Sequence, residues 1–238
     1  MIFLRDRKLL FFKPRKTAGT SFEIALSRHA GPQDIVTPLV LGDELLRRKL
    51  GGHPPVNWAD LDQEAAFEAL IAQKAGDADT DQVLFSVKHA RYVHHITPAK
   101  FAERAGEAEL KEATVVTMAR HPYEVLASQI RYFKRFQKRP ESFEELAELY
   151  GDRFFTNLPY YHYKQRYLPR FVVRFERLEE DLDEFDREFG FDVASHFPET
   201  KMWDTGERPQ ARDLFTREQR QRCYARNRAI FELFGYEP

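Results

Sequence analysis

The stretch Leu9-Leu-Phe-Phe-Lys13-Pro-Arg-Lys16-Thr17-Ala18-Gly19-Thr20-Ser21-Phe-Glu23-Ile-Ala-Leu26 decides the fold class. Its first four residues are an apolar run too short for a helix, the pattern of a strand buried on both faces. Thr20-Ser-Phe-Glu23 has the spacing of a capping box, and Phe22, Ile24, Ala25 and Leu26 follow it, so a helix is predicted from Thr20 to His29. Between the two lies a short loop with Lys16 and Gly19. A strand, a small-residue loop bearing Lys and hydroxyls, and a helix N-terminus together make a phosphate cradle, because loop amides and the positive helix end face an anion. Gly19 lets the backbone come close. The plainer reading is a helix capped by Thr20 and Glu23 with Lys16 in solvent, and this stretch alone does not choose between the two.

Working outward, Val83-Leu-Phe-Ser-Val87, Thr114-Val-Val-Thr-Met118 and Phe171-Val-Val173 read as further buried strands, with Asp34-Ile-Val-Thr37 a weaker fifth. Helical patterns alternate with them. They cover Asp60 to Lys74, Pro122 to Gln137 with Leu126, Ile130 and Phe133 on one stripe, and Glu176 to Phe189 stopping at Gly190. A last helix is capped by Thr216-Arg-Glu-Gln219 and stops near Gly235. Strands alternating with helices predict an α/β fold with a mostly parallel central sheet of about five strands flanked by helices. Gly51-Gly-His-Pro-Pro55, the Gly76 to Thr80 segment and Lys138-Arg-Pro140 read as loops rather than linkers, so residues 1–238 are expected to form a single domain. In such sheets ligands bind at the carboxyl ends of the strands.

Composition removes several classes. The chain has 238 residues, 14% of them aromatic, with only 11 Gly and 13 Pro, which excludes disordered and collagen-like chains. One cysteine, Cys223, leaves no internal disulfide and no cysteine-based zinc site. Apolar runs are only a few residues long, and Arg5, Asp6, Arg7 and Lys8 fall where a signal peptide carries its apolar stretch, so a cytoplasmic protein without a membrane span is expected. Net charge is −1, from 37 basic and 38 acidic residues, and gives no bulk argument for a nucleic-acid partner.

The loop is not a Walker A motif, in which the lysine comes after the glycines with the magnesium-holding hydroxyl right behind it; here Lys16 precedes the only glycine. The Thr114 strand ends in Ala119-Arg120-His121-Pro122 rather than in a magnesium-holding Asp, so a metal-free cradle is expected. Arg120 ends that strand and Pro122 opens the next helix. Ser128 lies about 200° around that helix from Leu126, away from the core stripe. An Arg at a strand end and a hydroxyl on the free side of the next helix suit a second phosphate. By itself Ser128 also fits an ordinary exposed serine.

Together these pieces resemble the sulfotransferases that use 3′-phosphoadenosine 5′-phosphosulfate. Lys16-Thr-Ala-Gly-Thr-Ser21 is similar to their 5′-phosphosulfate loop, and Arg120-His-Pro122 with Ser128 to their 3′-phosphate motif, where His121 stands in place of the usual Asp. Arg174-Phe-Glu-Arg-Leu178 resembles their Arg-Tyr-Glu-Asp-Leu strand end, and Phe231-Glu-Leu-Phe-Gly-Tyr236 their C-terminal helix and stop. The loop is closer to the carbohydrate, membrane-type branch than to the phenol and steroid branch, but without that branch's membrane anchor. Lys201-Met-Trp-Asp-Thr-Gly206 matches the family's late cofactor loop poorly. The resemblance implies a P-loop-like domain and a nucleotide-binding transferase that moves a sulfuryl group to a hydroxyl, or less readily an amine. In that reading the donor is 3′-phosphoadenosine 5′-phosphosulfate. Lys16, Thr17, Ala18, Gly19, Thr20 and Ser21 hold its 5′ side, Arg120 and Ser128 hold its 3′-phosphate, and no metal takes part.

The resemblance also implies a base just past the Val83 to Val87 strand, which makes His89 the candidate, with His94 and His95 as substitutes; an imidazole titrates near neutrality and suits the task. The spacing of these three histidines is not a zinc pattern. Arg131-Tyr132-Phe133-Lys134-Arg135-Phe136-Gln-Lys138-Arg139 is either the solvated face of a helix or a wall drawing in an anionic or polyhydroxylated acceptor, such as a glycan, lipid or small molecule. Two other readings stay open: a small-molecule kinase of related architecture, and a non-catalytic nucleic-acid binder using residues 131–139.

Overall fold

A computed structural model describes residues 1–74, 90–136, 142–151, 155–198 and 211–238. The Val83 to Val87 strand, His89, Gln137 and the last part of the basic run (Lys138 and Arg139) lie outside the described residues, as does Lys201 to Gly206.

Seven strands are described: β1 (Ile2–Leu4), β2 (Leu9–Phe11), β3 (Ile35–Val36), β4 (Thr114–Ala119), β5 (His162–Tyr163), β6 (Arg166–Tyr167) and β7 (Phe171–Arg174). Among the described residues the helices are α1 (Gly19–Leu26), α2 (Leu41–Lys49), α3 (Leu61–Lys74), α4 (Pro98–Ala105), α5 (Glu107–Glu112), α6 (Pro122–Phe136), α7 (Phe143–Tyr150), α8 (Leu178–Phe189) and α9 (Arg217–Phe234). Five strands form the main sheet in the order β3-β1-β2-β4-β7, and β5 and β6 make a separate antiparallel pair. β2 pairs parallel with β4 and β4 with β7, whereas β1 runs antiparallel to both β2 and β3. Four of the five therefore share one direction, and β1 alone opposes them. β1 was not foreseen: Ile2-Phe-Leu4 is too short a run to stand out, and it is fixed by pairing on both sides.

The apolar runs are continuous because both faces of the sheet are covered. Side chains alternate along each strand. Phe3, Leu10, Phe12 and Val115 pack on one face with Trp58, Phe67 and Ile71 of the α3 region and Phe101 of α4. Ile2, Leu9, Phe11, Val116 and Met118 pack on the other with Phe22 of α1 and Phe185 of α8. A third cluster joins α6 to α9 through Tyr123, Leu126, Phe133, Cys223 and Phe231. The predicted capping box at Thr216 is present with both of its hydrogen bonds, and Gly235 closes α9 in the left-handed conformation. α8 begins two residues later than predicted, after a 3-10 turn at Phe175–Arg177. No helix among the described residues is long and apolar enough to cross a membrane.

The order of the strands also says where a ligand belongs. From β2 the chain passes through α1 toward β3 on one side, and from β4 through α6 toward β7 on the other. The direction of winding reverses between β2 and β4, and the crevice outside their carboxyl ends is the expected binding position in an open α/β sheet.

Candidate functional site

A cavity of about 700 Å³ opens at that position. It is lined by Lys16, Thr17, Ala18, Gly19 and Thr20 after β2, by Arg120 after β4, and by Ser128 on α6. His94 and His95 line it as well, and so do Arg131, Tyr132, Lys134 and Arg135, so this part of the basic stretch faces the cavity instead of being only a solvated helix face. Ser21 is not among the lining residues. It is buried, and its N–H bonds the Ala18 carbonyl at 3.0 Å. The lining part of this loop therefore runs from Lys13 to Thr20.

The capping box predicted at Thr20 does not form. α1 starts at Gly19, its N-cap is Ala18 at φ 66°, and no side chain caps it. Glu23 is instead fully buried, bonded to the Lys13 ammonium and to the Met1 amine. An acid that neutralises a buried ammonium is not available to bond back to the helix end, since separating the pair leaves an uncompensated buried charge. The same Lys13 side chain explains Gly19: a Cβ there would stand 2.7 Å from Lys13 Cγ. The glycine makes room for the lysine that crosses beneath it.

Two non-glycine residues of the loop, Lys16 at φ 58° and Ala18, are left-handed, a conformation that costs each about 1–2 kcal/mol. Alternating backbone of this kind turns successive N–H groups toward one point, an anion-binding nest. Surrounding residues hold the loop in this shape. Asn157 clasps Arg15, accepting from its N–H at 3.0 Å and donating to its carbonyl at 2.9 Å. Thr17 Oγ1 donates to the Pro14 carbonyl at 3.3 Å. Tyr132 of α6 stands beside Lys16, with Nζ 4.3 Å from the ring centre. Neither Asn157 nor Tyr132 carries a local signal for these roles, because the contacts span the fold.

The second turn is built differently. The Arg120 guanidinium lies 3.9 Å over the Phe175 ring, donates to Glu124 Oε2 at 3.0 Å, and reaches the Lys16 carbonyl at 3.5 Å. Burial lowers its pKa, with Glu124 and Glu176 opposing the shift, and an arginine stays charged even so. Glu124 also accepts from the Ala211 N–H at 3.2 Å. His121 takes over the task of a capping carboxylate: its Nδ1 accepts the Tyr123 N–H at 3.3 Å, and its Nε2 donates to the Glu237 carbonyl at 3.0 Å. Glu176 accepts from the His121 N–H at 2.7 Å and from the Tyr236 hydroxyl at 2.8 Å. The Arg-His-Pro turn, the Arg-Phe-Glu-Arg-Leu strand end and the Phe-Gly-Tyr ending thus meet at one carboxylate.

Among the described residues, seven cationic residues line the cavity (Lys13, Arg15, Lys16, Arg120, Arg131, Lys134 and Arg135) against one acidic residue, Asp43. Lys13 and Arg120 are paired with Glu23 and Glu124. His95 completes the wall, with Nδ1 at 2.9 Å from the Lys13 carbonyl. Comparison with models of known protein families, with curated proteins and with solved structures found no match.

Proposed function

We propose that this chain transfers a sulfuryl group from 3′-phosphoadenosine 5′-phosphosulfate to an acceptor hydroxyl, or less readily an amine, by in-line displacement. The observation that carries the reading is the meeting of the Lys16 loop and Arg120, which stand 104 positions apart in the chain, across a 3.5 Å contact at the crevice between β2 and β4. The uncapped end of α1 offers its amides to the 5′-phosphate, with Thr20 beside them. Lys16 neutralises charge on the phosphate oxygen that leaves. Arg120 and Ser128 take the 3′-phosphate, which distinguishes this donor from ATP. A nucleotide phosphorylated at both ends also matches the positive lining of the cavity. Planar, charge-spread transfer of this kind depends on alignment and charge placement, which two rigid strand-to-helix turns provide.

The test is the thermal stabilisation of the chain by 3′-phosphoadenosine 5′-phosphate and by ADP, each with and without magnesium. A larger, magnesium-independent shift with the former is expected. A larger shift with ADP and magnesium favours a kinase instead.

A further inference from the structure

We infer that Phe175-Glu176, after β7, and Tyr236-Glu237, after α9, form a clamp that positions Arg120 for the 3′-phosphate. Phe175, Glu176 and Tyr236 are then positioning residues that act through the turn after β4, and their role rests on the sulfuryl-transfer reading above. β4 and β7 pair in parallel, and their last matched residues are Ala119 and Arg174. The residues that follow stay in step. The Arg120 guanidinium lies 3.9 Å over the Phe175 ring, and Glu176 Oε1 accepts the His121 N–H at 2.7 Å. Phe175 therefore sets the plane of the guanidinium, and Glu176 holds the backbone beside it. The base of the clamp is itself fixed, because Arg174 donates its N–H at 2.9 Å and its Nε and Nη2 at 2.8 Å to the buried Asp181 carboxylate.

The segment after α9 closes the clamp from the other side. Glu176 Oε2 accepts the Tyr236 hydroxyl at 2.8 Å, and His121 Nε2 donates to the Glu237 carbonyl at 3.0 Å. The Tyr236 and His121 rings stand 5.2 Å apart. Gly235, left-handed, and the Tyr236 N–H on the Phe231 carbonyl at 3.0 Å fix the entry of the tyrosine. Burial first, then the Glu176 charge and its hydrogen bond, push the Tyr236 hydroxyl up, so it keeps its proton and remains a donor at neutral pH. Two oxygens of one carboxylate thus tie the turn that carries Arg120 to the stop of α9. An arginine that samples many rotamers loses that freedom when it grips a phosphate, whereas one already held loses less and binds more tightly. A nucleotide without a 3′-phosphate gains nothing from the clamp.

Two measurements on the whole chain test this. The first is the Kd for 3′-phosphoadenosine 5′-phosphate and for adenosine 5′-phosphate, by calorimetry, in the wild-type chain, Tyr236→Phe and Phe175→Leu (or Phe175→Met should that variant fail to fold). None of these substitutions alters charge, so the ionic attraction for phosphate stays as it was. Tyr236→Phe is expected to weaken binding of the 3′-phosphorylated nucleotide about threefold and Phe175→Leu about fivefold, with the affinity for adenosine 5′-phosphate unchanged. Phe175 also lines the cavity, and the second nucleotide separates a hold on Arg120 from a direct contact with the ligand. An unchanged ratio in either variant, or an equal loss for both nucleotides, overturns the proposal. The second measurement needs no nucleotide: exchange of the His121 amide hydrogen with solvent, followed by NMR. It is expected to be at least about threefold faster in Tyr236→Phe, where Glu176 loses its anchor; equal rates overturn the clamp. If the wild-type chain binds the two nucleotides equally while His121 exchange still responds to Tyr236→Phe, the sulfuryl-transfer reading fails. The clamp is then a helix anchor only, which overturns its role at a 3′-phosphate.

Discussion

The turns after β2 and β4 are the same unit, a parallel strand running into a helix, yet their helix ends are finished in opposite ways. α6 is capped by its own sequence: His121 Nδ1 takes an amide of the first turn, and Pro122 has none to offer. α1 has no side-chain cap, and the residue that spacing assigns to the task, Glu23, is buried on Lys13. A helix end left bare inside a cavity has amides to give to an anion, whereas a capped one must rely on a side chain, and here Arg120 lies beside it. In the proposed reading, one nucleotide with phosphates at both ends is held by backbone at one end and by a guanidinium at the other.

Substitutions at four positions break or sharpen this contrast. The largest effect is expected for Lys16→Ala, where turnover of the donor falls by at least about 100-fold, roughly 3 kcal/mol, while donor affinity falls less, because the charge it meets develops in the transition state. Single-turnover rates at saturating donor measure it. Arg120→Ala is expected to cost about 1.5–3 kcal/mol of binding to the 3′-phosphorylated nucleotide, and nothing for the dephospho form, as a charge-assisted hydrogen bond is lost. An unchanged affinity ratio places the 3′-phosphate elsewhere. Gly19→Ala drives a methyl into the Lys13 stem and is expected to destabilise the fold by about 1–3 kcal/mol, read as a lower denaturant midpoint with an unchanged slope. The smallest effect is for His121: removing the cap acceptor with Ala is expected to cost about 1 kcal/mol, and His121→Asp to restore it.

Acid gives a further contrast. His95 is depressed in the folded chain mainly by burial. Below about pH 6.5 the unfolded chain takes up a proton that the folded one refuses. The stability owed to the neutral ring is therefore present above that pH and lost as pH falls. Melting temperature is expected to drop more steeply below pH 6 in the wild-type chain than in His95→Gln; parallel curves contradict it.

Much of the sheet was legible in the sequence because strands buried on both faces write themselves as unbroken apolar runs: β2, β4 and β7 did so, and even the two residues of β3 sat within the weaker run Asp34 to Thr37. β1 was not, since three apolar residues carry no period and pairing with β2 and β3 alone defines it. At the site, Lys16 to Thr20 and Arg120 were read from their place at strand ends and Ser128 from the free side of the next helix, and the structure shows that all of them line one cavity. Glu23 was misread because the spacing that signals a capping box says nothing of a buried lysine ten positions earlier. Asn157 and Glu176 act through contacts that only the fold brings together, and so does Glu124 toward the Ala211 N–H, whereas its pair with Arg120 is a local i,i+4 contact.

The central claim is that the two turns hold the two ends of one nucleotide. Calorimetric titration of the wild-type chain with 3′-phosphoadenosine 5′-phosphate and with adenosine 5′-phosphate, without metal, tests it most directly. The account predicts tighter binding of the former by at least about tenfold, the equivalent of one lost contact worth 1.4 kcal/mol. Equal affinity for the two, or no binding of either, contradicts it.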